Sequence, residues 1–401
     1  MALNLLILTV ILLVLVALWR LAHRLLGGPD LSRFDLPLNS RVDHRCRASE
    51  EHQQAVALHR QAAREVENVP RNQRLPALRR MMARGFMEPS LLSEPGYRIE
   101  PLDADGVPGE WVLAPHSDPD RRLLYLHGGS FVSGCPRGHR VVTTHLARVT
   151  GCSVLALDYR LLPEHSRRQQ HDDCRSGYGW ITRHGPSGPG PARELWVAGD
   201  SAGGNLALSL VAWVRDAGAT RPMGAIALSP SLDMTFSSPS IRANLATDLM
   251  LGPGFKPFLW LPRLLVLLLI WRMNRILPHD PLISPLFGDL AGLPPVLIQA
   301  SEAEMMVGDA RRYVHKARAA GSAVELQTWP DVLHVWHLFA PLLPEAREAF
   351  EGIGRFVERC RAQAAVLDTR PHPRDHAQRP APLPIAKPPA GPPAEHEQIT
   401  G

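Results

Sequence analysis

The segment LWVAGDSAGGNLAL contains the residues whose types and spacing most clearly favour chemistry. Gly199, Ser201 and Gly203 form a G-x-S-x-G pattern between an apolar run and a helix-like run. In this pattern the serine lies on a sharp, strained turn that exposes its hydroxyl, and the flanking glycines avoid clashes that a β-carbon would cause. The following helix points its N-terminus at the site, where the Ala202 N–H can donate to a developing oxyanion. The sequence therefore predicts Ser201 as a nucleophile.

A second glycine-containing segment, HGGSF, precedes the serine pattern. His127, Gly128 and Gly129 follow the apolar run RLLYL, which is typical of a strand. Paired glycines form a simple tight turn in many proteins, but they also let the backbone approach a substrate carbonyl so that two N–H groups face it. One such donor stabilises a transition state by about 3–4 kcal/mol. We expect Gly128, Gly129 and Ala202 to form an oxyanion hole, and His127 to brace the loop by hydrogen bonding.

A base and an acid that could serve the serine occur late in the chain. TWPDVLHVWHLF places His334 in a loop after a strand-like run, with His337 as a competitor. SEAEMMVGDA places Glu302, Glu304 and Asp309 at the exit of the apolar run PVLIQA. A histidine would take the serine proton, and a carboxylate would orient that histidine. The residues alone leave open which carboxylate does so.

The elements that must position these residues alternate in a regular way. YRIEPL and GEWVLAP resemble a hairpin, and residues 45–90 before them look helical and amphipathic. The strand-like runs that follow are RLLYL, SVLALDY, LWVAGD, AIALSP, PVLIQA and AVELQTWP. Helix-like runs separate or follow them, as in HRVVTTHLARVTG, DDCRSGYGWITRHG, SAGGNLALSLVAWVRDAG, DARRYVHKARAAG and REAFEGIGRFVERCRAQ. This alternation predicts an α/β fold with a largely parallel sheet covered on both faces.

Several motifs in order give the chain a family resemblance. HGGSF, DYRLLPEH, GDSAGGN, LSPSLD, DPLISPL and WPDVLH resemble the hormone-sensitive-lipase family of α/β-hydrolases over roughly residues 95–360. The resemblance implies an α/β-hydrolase fold and ester hydrolysis by a serine, without a metal or cofactor. It also implies a cap built from the N-terminal helices and a late insertion, here 45–90 and 236–280. One departure is Ser130, which stands where the family usually has a third glycine.

The resemblance also selects the base and the acid. The family pattern places its catalytic histidine at His334. Its usual run D-P-L-x-D-D has the orienting Asp first and another Asp five residues later, at a helix N-terminus. Asp309 opens a helix-like run and is expected to cap it, and counting back five positions lands on Glu304, with Glu302 the next candidate. The implied triad is Ser201, Glu304 and His334, with Glu in place of the commoner Asp.

The two ends of the chain differ in composition from the middle. Residues 2–19 carry no charge, and a helix of this length spans roughly 27 Å, close to a hydrocarbon core of about 30 Å. A cleaved signal peptide is the alternative, but no basic residue precedes the run and no clear cleavage site follows it. Arg20 and Arg24 follow instead, which predicts an uncleaved anchor and a cytoplasmic catalytic domain. The predicted organisation is a transmembrane anchor (1–26), a helical cap segment (27–95), a hydrolase domain (96–365) with a cap insertion at about 236–280, and a disordered proline-rich tail (366–401).

The insertion contains the apolar segment FLWLPRLLVLLLIW. Its uninterrupted stretch, Leu264–Trp271, is too short to span a bilayer. Three interpretations remain open: a lid that lines an acyl pocket, a surface that dips into lipid, or a helix packed in the core.

Composition excludes several other classes of protein. The 401 residues are 45% apolar and 21% charged, as in an ordinary globular protein, and the net charge of +5 comes from scattered arginines. No groove-reading motif accompanies them, so no nucleic-acid partner is expected. The five cysteines lack CxxC spacing, which argues against a disulfide framework and a zinc site. They are Cys46, Cys135, Cys152, Cys174 and Cys360.

These observations favour one function over three others. The favoured function is a membrane-anchored carboxylesterase or lipase-like hydrolase for esters with a hydrophobic acyl or alcohol part. An amide deacetylase would use the same residues. A non-catalytic small-molecule receptor on this fold would have lost the nucleophile or the base, whereas Ser201 and His334 are both present. A membrane-tethered scaffold would act through the proline-rich tail.

Overall fold

The computed structural model describes residues 2–40 and 47–368. The predicted tail from residue 369 onward and Cys46 lie outside the described residues. Within them the strands are β1 Arg98–Asp103, β2 Pro108–Leu113, β3 Asp118–Leu126, β4 Cys152–Leu157, β5 His184–Gly185, β6 Gly188–Pro189, β7 Glu194–Asp200, β8 Gly224–Leu228, β9 Val296–Ser301 and β10 Val324–Trp329. The α-helices are α1 Ala2–Gly27, α2 Glu51–Glu67, α3 Arg74–Arg84, α4 Arg140–Thr150, α5 Arg167–Ile181, α6 Ala202–Asp216, α7 Ser240–Ala243, α8 Gly252–Leu259, α9 Arg263–Asn274, α10 Val307–Ala319 and α11 Pro344–Asp368.

Eight of these strands form one sheet in the order β1-β2-β4-β3-β7-β8-β9-β10. β1 pairs antiparallel with β2, and β2 pairs antiparallel with β4, so the predicted hairpin lies at one edge. The remaining neighbours in this order, β4-β3-β7-β8-β9-β10, all pair parallel. The strands β5 and β6 form a separate two-stranded sheet. The predicted α/β architecture with a mostly parallel sheet is confirmed.

Apolar side chains cover both faces of the sheet, because successive residues of a strand point to opposite sides. In β3, Leu124 and Leu126 pack with α5, α6 and α10, whereas Leu123 and Tyr125 pack with α4 and α11. All four side chains are fully buried. This two-sided burial explains why the strands appear in the sequence as continuous apolar runs.

The parallel pairing brings the predicted functional loops to one edge of the sheet. Ser201 follows β7, the HGGSF loop follows β3, SEAEMM follows β9, and His334 follows β10. In open α/β sheets the carboxyl ends of the strands form the edge at which ligands bind.

The N-terminal helices and the insertion lie outside this sheet. Residues 51–84 contain α2 and α3, and the insertion contains α7, α8 and α9. Among the described residues no single helix is long and apolar enough to cross a membrane. The helices α8 and α9 reach that length and apolarity only as a pair, and the pair is bent by 113°. The predicted division into anchor, cap and hydrolase domain stays a prediction.

Candidate active site

The serine lies in a tight strand-to-helix turn between β7 and α6. Ser201 has φ +51° and ψ −114°, a conformation that side-chain-bearing residues rarely adopt. Its N–H donates to the Leu228 carbonyl at 2.8 Å, which anchors the turn to β8. A β-carbon at Gly203 would lie 1.9 Å from the Leu126 carbonyl oxygen, and one at Gly199 would lie 2.4 Å from the Gly203 carbonyl oxygen. The two glycines are therefore required by the close approach of three backbone segments.

The predicted nucleophile, base and acid lie in hydrogen-bonding contact. His334 Nε2 is 2.9 Å from Ser201 Oγ, and His334 Nδ1 is 2.8 Å from Glu304 Oε2. Because an ionised carboxylate can only accept, Nδ1 carries the proton and Nε2 is free to accept the serine proton. Glu304 is 1% exposed and His334 is 3% exposed, so both groups are shielded from water.

Burial and the carboxylate act in opposite directions on the imidazole. Burial alone would lower the pKa of His334, but the hydrogen bond and charge of Glu304, with smaller contributions from Asp248 and Asp200, raise that pKa above its ordinary value. Burial also raises the pKa of Glu304, and the bond from His334 partly offsets that rise. The arrangement therefore favours a protonated imidazole once a proton arrives from the serine.

The competing candidates have other partners. Glu302 forms an ion pair with Arg311. His337 Nε2 lies 2.8 Å from the Gln299 side-chain oxygen, and burial lowers the pKa of His337 to about 3. Asp309 accepts a hydrogen bond from the Ser238 hydroxyl at 2.6 Å. The expectation that Asp309 caps a helix is wrong, because α10 begins two residues earlier, at Val307.

The loop after β3 corrects one predicted oxyanion donor. The Gly128 N–H donates to Asp200 Oδ1 at 2.8 Å, so this N–H is already occupied, and the expectation for Gly128 needs correction. Among the described residues, the N–H groups of Gly129, Ser130 and Ala202 have no acceptor. Gly129 has φ +118° and Ser130 has φ +55°, which turns this backbone sharply after β3. The Ser130 N–H is a candidate donor that sequence reasoning missed, although the family's third glycine at this position marks it.

A buried polar cluster lies beneath this loop. Asp200 accepts hydrogen bonds from the Tyr125 hydroxyl and the Gly128 N–H, and its other oxygen lies 3.6 Å from His139 Nε2. His127 Nδ1 is 2.8 Å from the Gly128 carbonyl, and its ring stacks on Tyr159 with centroids 4.3 Å apart. Burial, with the neighbouring His139, lowers the pKa of His127 to about 3. His127 is therefore neutral and, as expected, braces the loop rather than serving as a base.

The turn that carries Glu304 is contacted by residues for which the sequence offered no signal. Asn244, Thr247 and Asp248 of the insertion hydrogen-bond to its backbone. Ser229, at the end of β8, accepts a hydrogen bond at 3.1 Å from the N–H of Val335, next to the base. No group of three or more His, Cys, Asp or Glu side chains within the described ranges could hold a metal ion.

A serine turn, a histidine and a carboxylate are hydrogen-bonded in sequence at the carboxyl edge of a parallel sheet. This arrangement is typical of serine hydrolases with an α/β fold. Residues 123–338 match the family profile described as alpha/beta hydrolase fold. This match spans more than half of the chain, which therefore belongs to the α/β-hydrolase fold family.

Individual relatives narrow this assignment. An acetyl-hydrolase of Streptomyces hygroscopicus is 37% identical over 253 residues, which cover 62% of this chain and 78% of that protein. The carboxylesterase/phospholipase LipF of Mycobacterium tuberculosis is 33% identical, over 61% of this chain and 64% of LipF. The crystal structure of an esterase from the bacterial hormone-sensitive lipase family matches with a TM-score of 0.66 and 34% identity, over 78% of this chain and 98% of that one. The predicted family and fold are confirmed, and so, at the level of the family, is the prediction of an esterase.

Proposed function

We propose that this chain is a membrane-anchored serine carboxylesterase that acts through an acyl-enzyme. The observation that carries the proposal is the continuous hydrogen-bonded chain from Ser201 through His334 to Glu304. A buried carboxylate, a correctly oriented imidazole and a strained serine turn together support nucleophilic attack on an acyl carbon.

The geometry supports the following sequence of steps. His334 Nε2 takes the proton as Ser201 Oγ attacks the ester carbonyl carbon, and the resulting oxyanion accepts from the N–H groups of Gly129, Ser130 and Ala202. The tetrahedral intermediate collapses, and His334 returns the proton to the leaving alcohol. Water, deprotonated by the same imidazole, then attacks the acyl carbon. The bond from that carbon to Ser201 Oγ breaks, His334 returns the proton to Ser201 Oγ, and the acid is released. Glu304 keeps the imidazole oriented and stabilises its charged form throughout.

A buried apolar cluster adjoins the acid of the site, and the names of two relatives support a substrate class. Ile241 and Leu259 of the insertion form a buried cluster with Met305 and Met306, which follow the acid directly. The relatives named acetyl-hydrolase and carboxylesterase/phospholipase support carboxylic esters as the substrate class. From these names we infer a small acyl group or a lipid-like alcohol part.

The N-terminal helix supports the membrane part of the proposal. Residues 2–19 carry no charge, and α1 exposes large apolar side chains, among them Leu12 at 61% and Leu13 at 63%. The insertion adds Trp260 at 78% exposure and Trp271 at 41%. Exposed aromatic and aliphatic groups of this kind are stabilised at a lipid interface. Arg20 and Arg24 after the apolar run favour a catalytic domain on the cytoplasmic side.

Hydrolysis of a graded series of nitrophenyl esters tests the catalytic proposal. We expect Ser201→Ala to lower kcat by roughly a million-fold, because the nucleophile is lost while the fold is kept. Ser187→Ala, an exposed serine in the turn between β5 and β6, is the matched control and leaves kcat unchanged. Equal hydrolysis by the wild type and Ser201→Ala would refute the serine mechanism.

Membrane extraction tests the anchor separately. After an alkaline carbonate wash we expect the full chain to stay in the membrane pellet, because an apolar helix partitions into lipid. Replacing Leu12 and Leu13 with arginine should release it, since a charge at the centre of a span costs about 3 kcal/mol on insertion scales. Release of the wild-type chain by the wash would contradict the anchor. Whether added protease digests the catalytic domain in sealed vesicles shows on which side of the membrane that domain lies.

A further inference from the structure

The turn that carries the triad acid is bonded to the insertion along its whole backbone. Asn244 Nδ2 donates to the carbonyls of Glu302 at 2.7 Å and Glu304 at 2.9 Å. The Thr247 hydroxyl donates to the Ala303 carbonyl at 2.9 Å. The Met305 N–H donates to Asp248 Oδ2 at 2.9 Å. Four consecutive residues, 302–305, thus have a backbone polar group satisfied by a side chain from residues 244–248.

Within the turn and its strand, the Glu304 N–H donates to the Ser301 carbonyl at 3.2 Å and the Ala303 N–H to the Ser301 hydroxyl at 3.1 Å, whereas the carbonyls of residues 302–304 are bonded by the insertion. Residues 302–306 lie between the end of β9 and the start of α10, outside regular secondary structure. Glu304 itself is 1% exposed, and polar backbone groups near a buried position need partners to avoid a loss of stability. The side chains of Asn244, Thr247 and Asp248 supply those partners for the carbonyls of residues 302–304 and for the Met305 N–H. The Ser240 hydroxyl, also in the insertion, donates to the Met305 carbonyl at 2.6 Å.

Asp248 also connects the turn to the helix that follows. Its Oδ1 accepts the Leu251 N–H at 2.8 Å, and its carbonyl accepts the Gly252 N–H at 2.9 Å, at the point where α8 begins. Its Oδ2 bonds to Met305, one residue after the triad acid. One side chain therefore links the first turn of α8, in the insertion, to the acid of the triad.

We propose that Asn244, Thr247 and Asp248 are positioning residues that hold the Glu304 turn in register with His334. The proposal rests on the proposed esterase function, because it assigns these residues to that reaction. In this proposal the insertion supports the triad in addition to its predicted role as part of the cap. A carboxylate misplaced by about 1 Å can lower a rate about a hundredfold, so such a brace matters for kcat more than for KM.

The charges around His334 determine what a shift of Glu304 does. His334 faces the carboxylates of Glu304, Asp248 and Asp200, together with the imidazoles of His59 and His337, whose pKa values burial lowers. The hydrogen bond that His334 Nδ1 donates to Glu304 makes the largest contribution that raises the pKa of His334. If the Glu304 turn moves away, the pKa of His334 falls. That pKa reports the position of the acid without any need for turnover.

The decisive variant is Asn244→Leu, which keeps the approximate shape and removes the donor without adding charge. We expect kcat for a nitrophenyl butyrate to fall by about tenfold to a hundredfold with KM little changed. The matched control is Asn274→Leu, since the Asn274 amide also donates to a backbone carbonyl, but to that of Ile270 at 2.8 Å, within the insertion and away from the turn. This control leaves kcat unchanged.

A double-mutant cycle separates positioning from general destabilisation. In a Glu304→Gln background, Asn244→Leu should cost little further activity, because the interaction that it supports is already impaired. If the two losses multiply in full, or if a folded Asn244→Leu keeps kcat within about twofold, the proposal is overturned. Should Asn244→Leu fail to fold, Thr247→Val decides, since it removes one exposed hydroxyl and is expected to lower kcat about fivefold.

The pKa of His334 distinguishes failure of this proposal from failure of the esterase function. It is read from the imidazole resonance that His334→Gln removes. If the wild type and Ser201→Ala hydrolyse equally, the esterase proposal fails, but Asn244→Leu still lowers the pKa of His334 if the side chain holds the acid turn. An unchanged His334 pKa in folded Asn244→Leu overturns the positioning role.

Discussion

The serine turn and the acid turn meet at one edge of the sheet, but different parts of the chain hold them. Ser201 is fixed by its own backbone, with glycines where a β-carbon would clash with neighbouring strands and an N–H bonded to Leu228. The turn around Glu304 has no such glycine frame. Its carbonyls are bonded by side chains of Asn244 and Thr247, far away in the sequence.

The turns that carry the two catalytic groups are thus fixed in two different ways. A turn fixed by backbone contacts must appear in the sequence as a short glycine pattern, because few other residues fit. A turn fixed by side chains from a distant segment leaves no local pattern. If the proposed positioning role holds, substitutions in the insertion alter catalysis although no catalytic residue is itself replaced.

In the comparison of the two turns, the largest effect on kcat is expected from substitution of the acid. Glu304→Gln should lower kcat by about a thousandfold or more, because the amide cannot stabilise the imidazolium and can favour the wrong tautomer of His334. The measurement is kcat on a short-chain nitrophenyl ester. Glu302→Gln is the matched control, since Glu302 pairs with Arg311 on the outer side of the same turn, and its activity should stay near wild type. A full loss in Glu302→Gln with an active Glu304→Gln would move the acid to Glu302.

The next effect concerns the backbone frame of the serine turn. Gly203→Ala places a methyl group where the Leu126 carbonyl oxygen would be 1.9 Å away. We expect the free energy of unfolding to fall by about 3 kcal/mol or more, because backbone atoms must move. Gly179→Ala is the control: nothing lies within 4 Å of its β-carbon position, and it sits inside α5. Helix propensity predicts that this control gains about 1 kcal/mol in urea unfolding. Unchanged stability in Gly203→Ala would show that the frame is not tight.

Most of the sheet and the serine side of the site could be predicted from the sequence. Continuous apolar runs identify strands buried on both faces, as for Leu123–Leu126, and their alternation with helices requires a parallel sheet. Once the sheet is parallel, Ser201, Glu304 and His334 follow strands that end at the same edge. The apolar runs and their alternation with helices are set by neighbouring residues in the sequence, so they can be identified without the structure.

The remaining features depend on contacts that no local pattern records. The Gly128 N–H donates to the carboxylate of Asp200, and that bond forms only when β3 and β7 lie side by side. The start of α10 at Val307 likewise left Asp309 inside the first turn, where it bonds to Ser238 of the insertion. No sequence pattern marks Asn244 and Asp248 either, because their hydrogen-bond partners lie in a distant segment. Each case is a long-range polar contact whose partner is set by tertiary packing.

A pH profile sharpens the comparison between the two turns. Because burial is outweighed by Glu304 and Asp248, the pKa of His334 lies above its ordinary value of 6.5. The imidazole must be neutral to act as a base, so kcat/KM is full above this pKa and declines as the pH falls through it. In Asp248→Asn one of the negative charges is lost, and the acidic limb should move to lower pH even though kcat falls. An acidic limb that moves upward, or stays in place, contradicts the assigned effect of Asp248.

The smallest effect is expected on the outer side of the insertion. Trp260 is 78% exposed, whereas Asp248, near the start of the same segment, is 3% exposed and bonded to the acid turn. Trp260→Ser should therefore change the free energy of unfolding by no more than about 0.5 kcal/mol and leave hydrolysis of a water-soluble butyrate ester unaltered. It should lower only the hydrolysis of esters presented in phospholipid vesicles, because an interfacial indole is lost. Equal loss on both substrates would mean that the outer side of the insertion also acts on the triad. The proposed division between an inner brace and an outer surface that contacts lipid would then have to be abandoned.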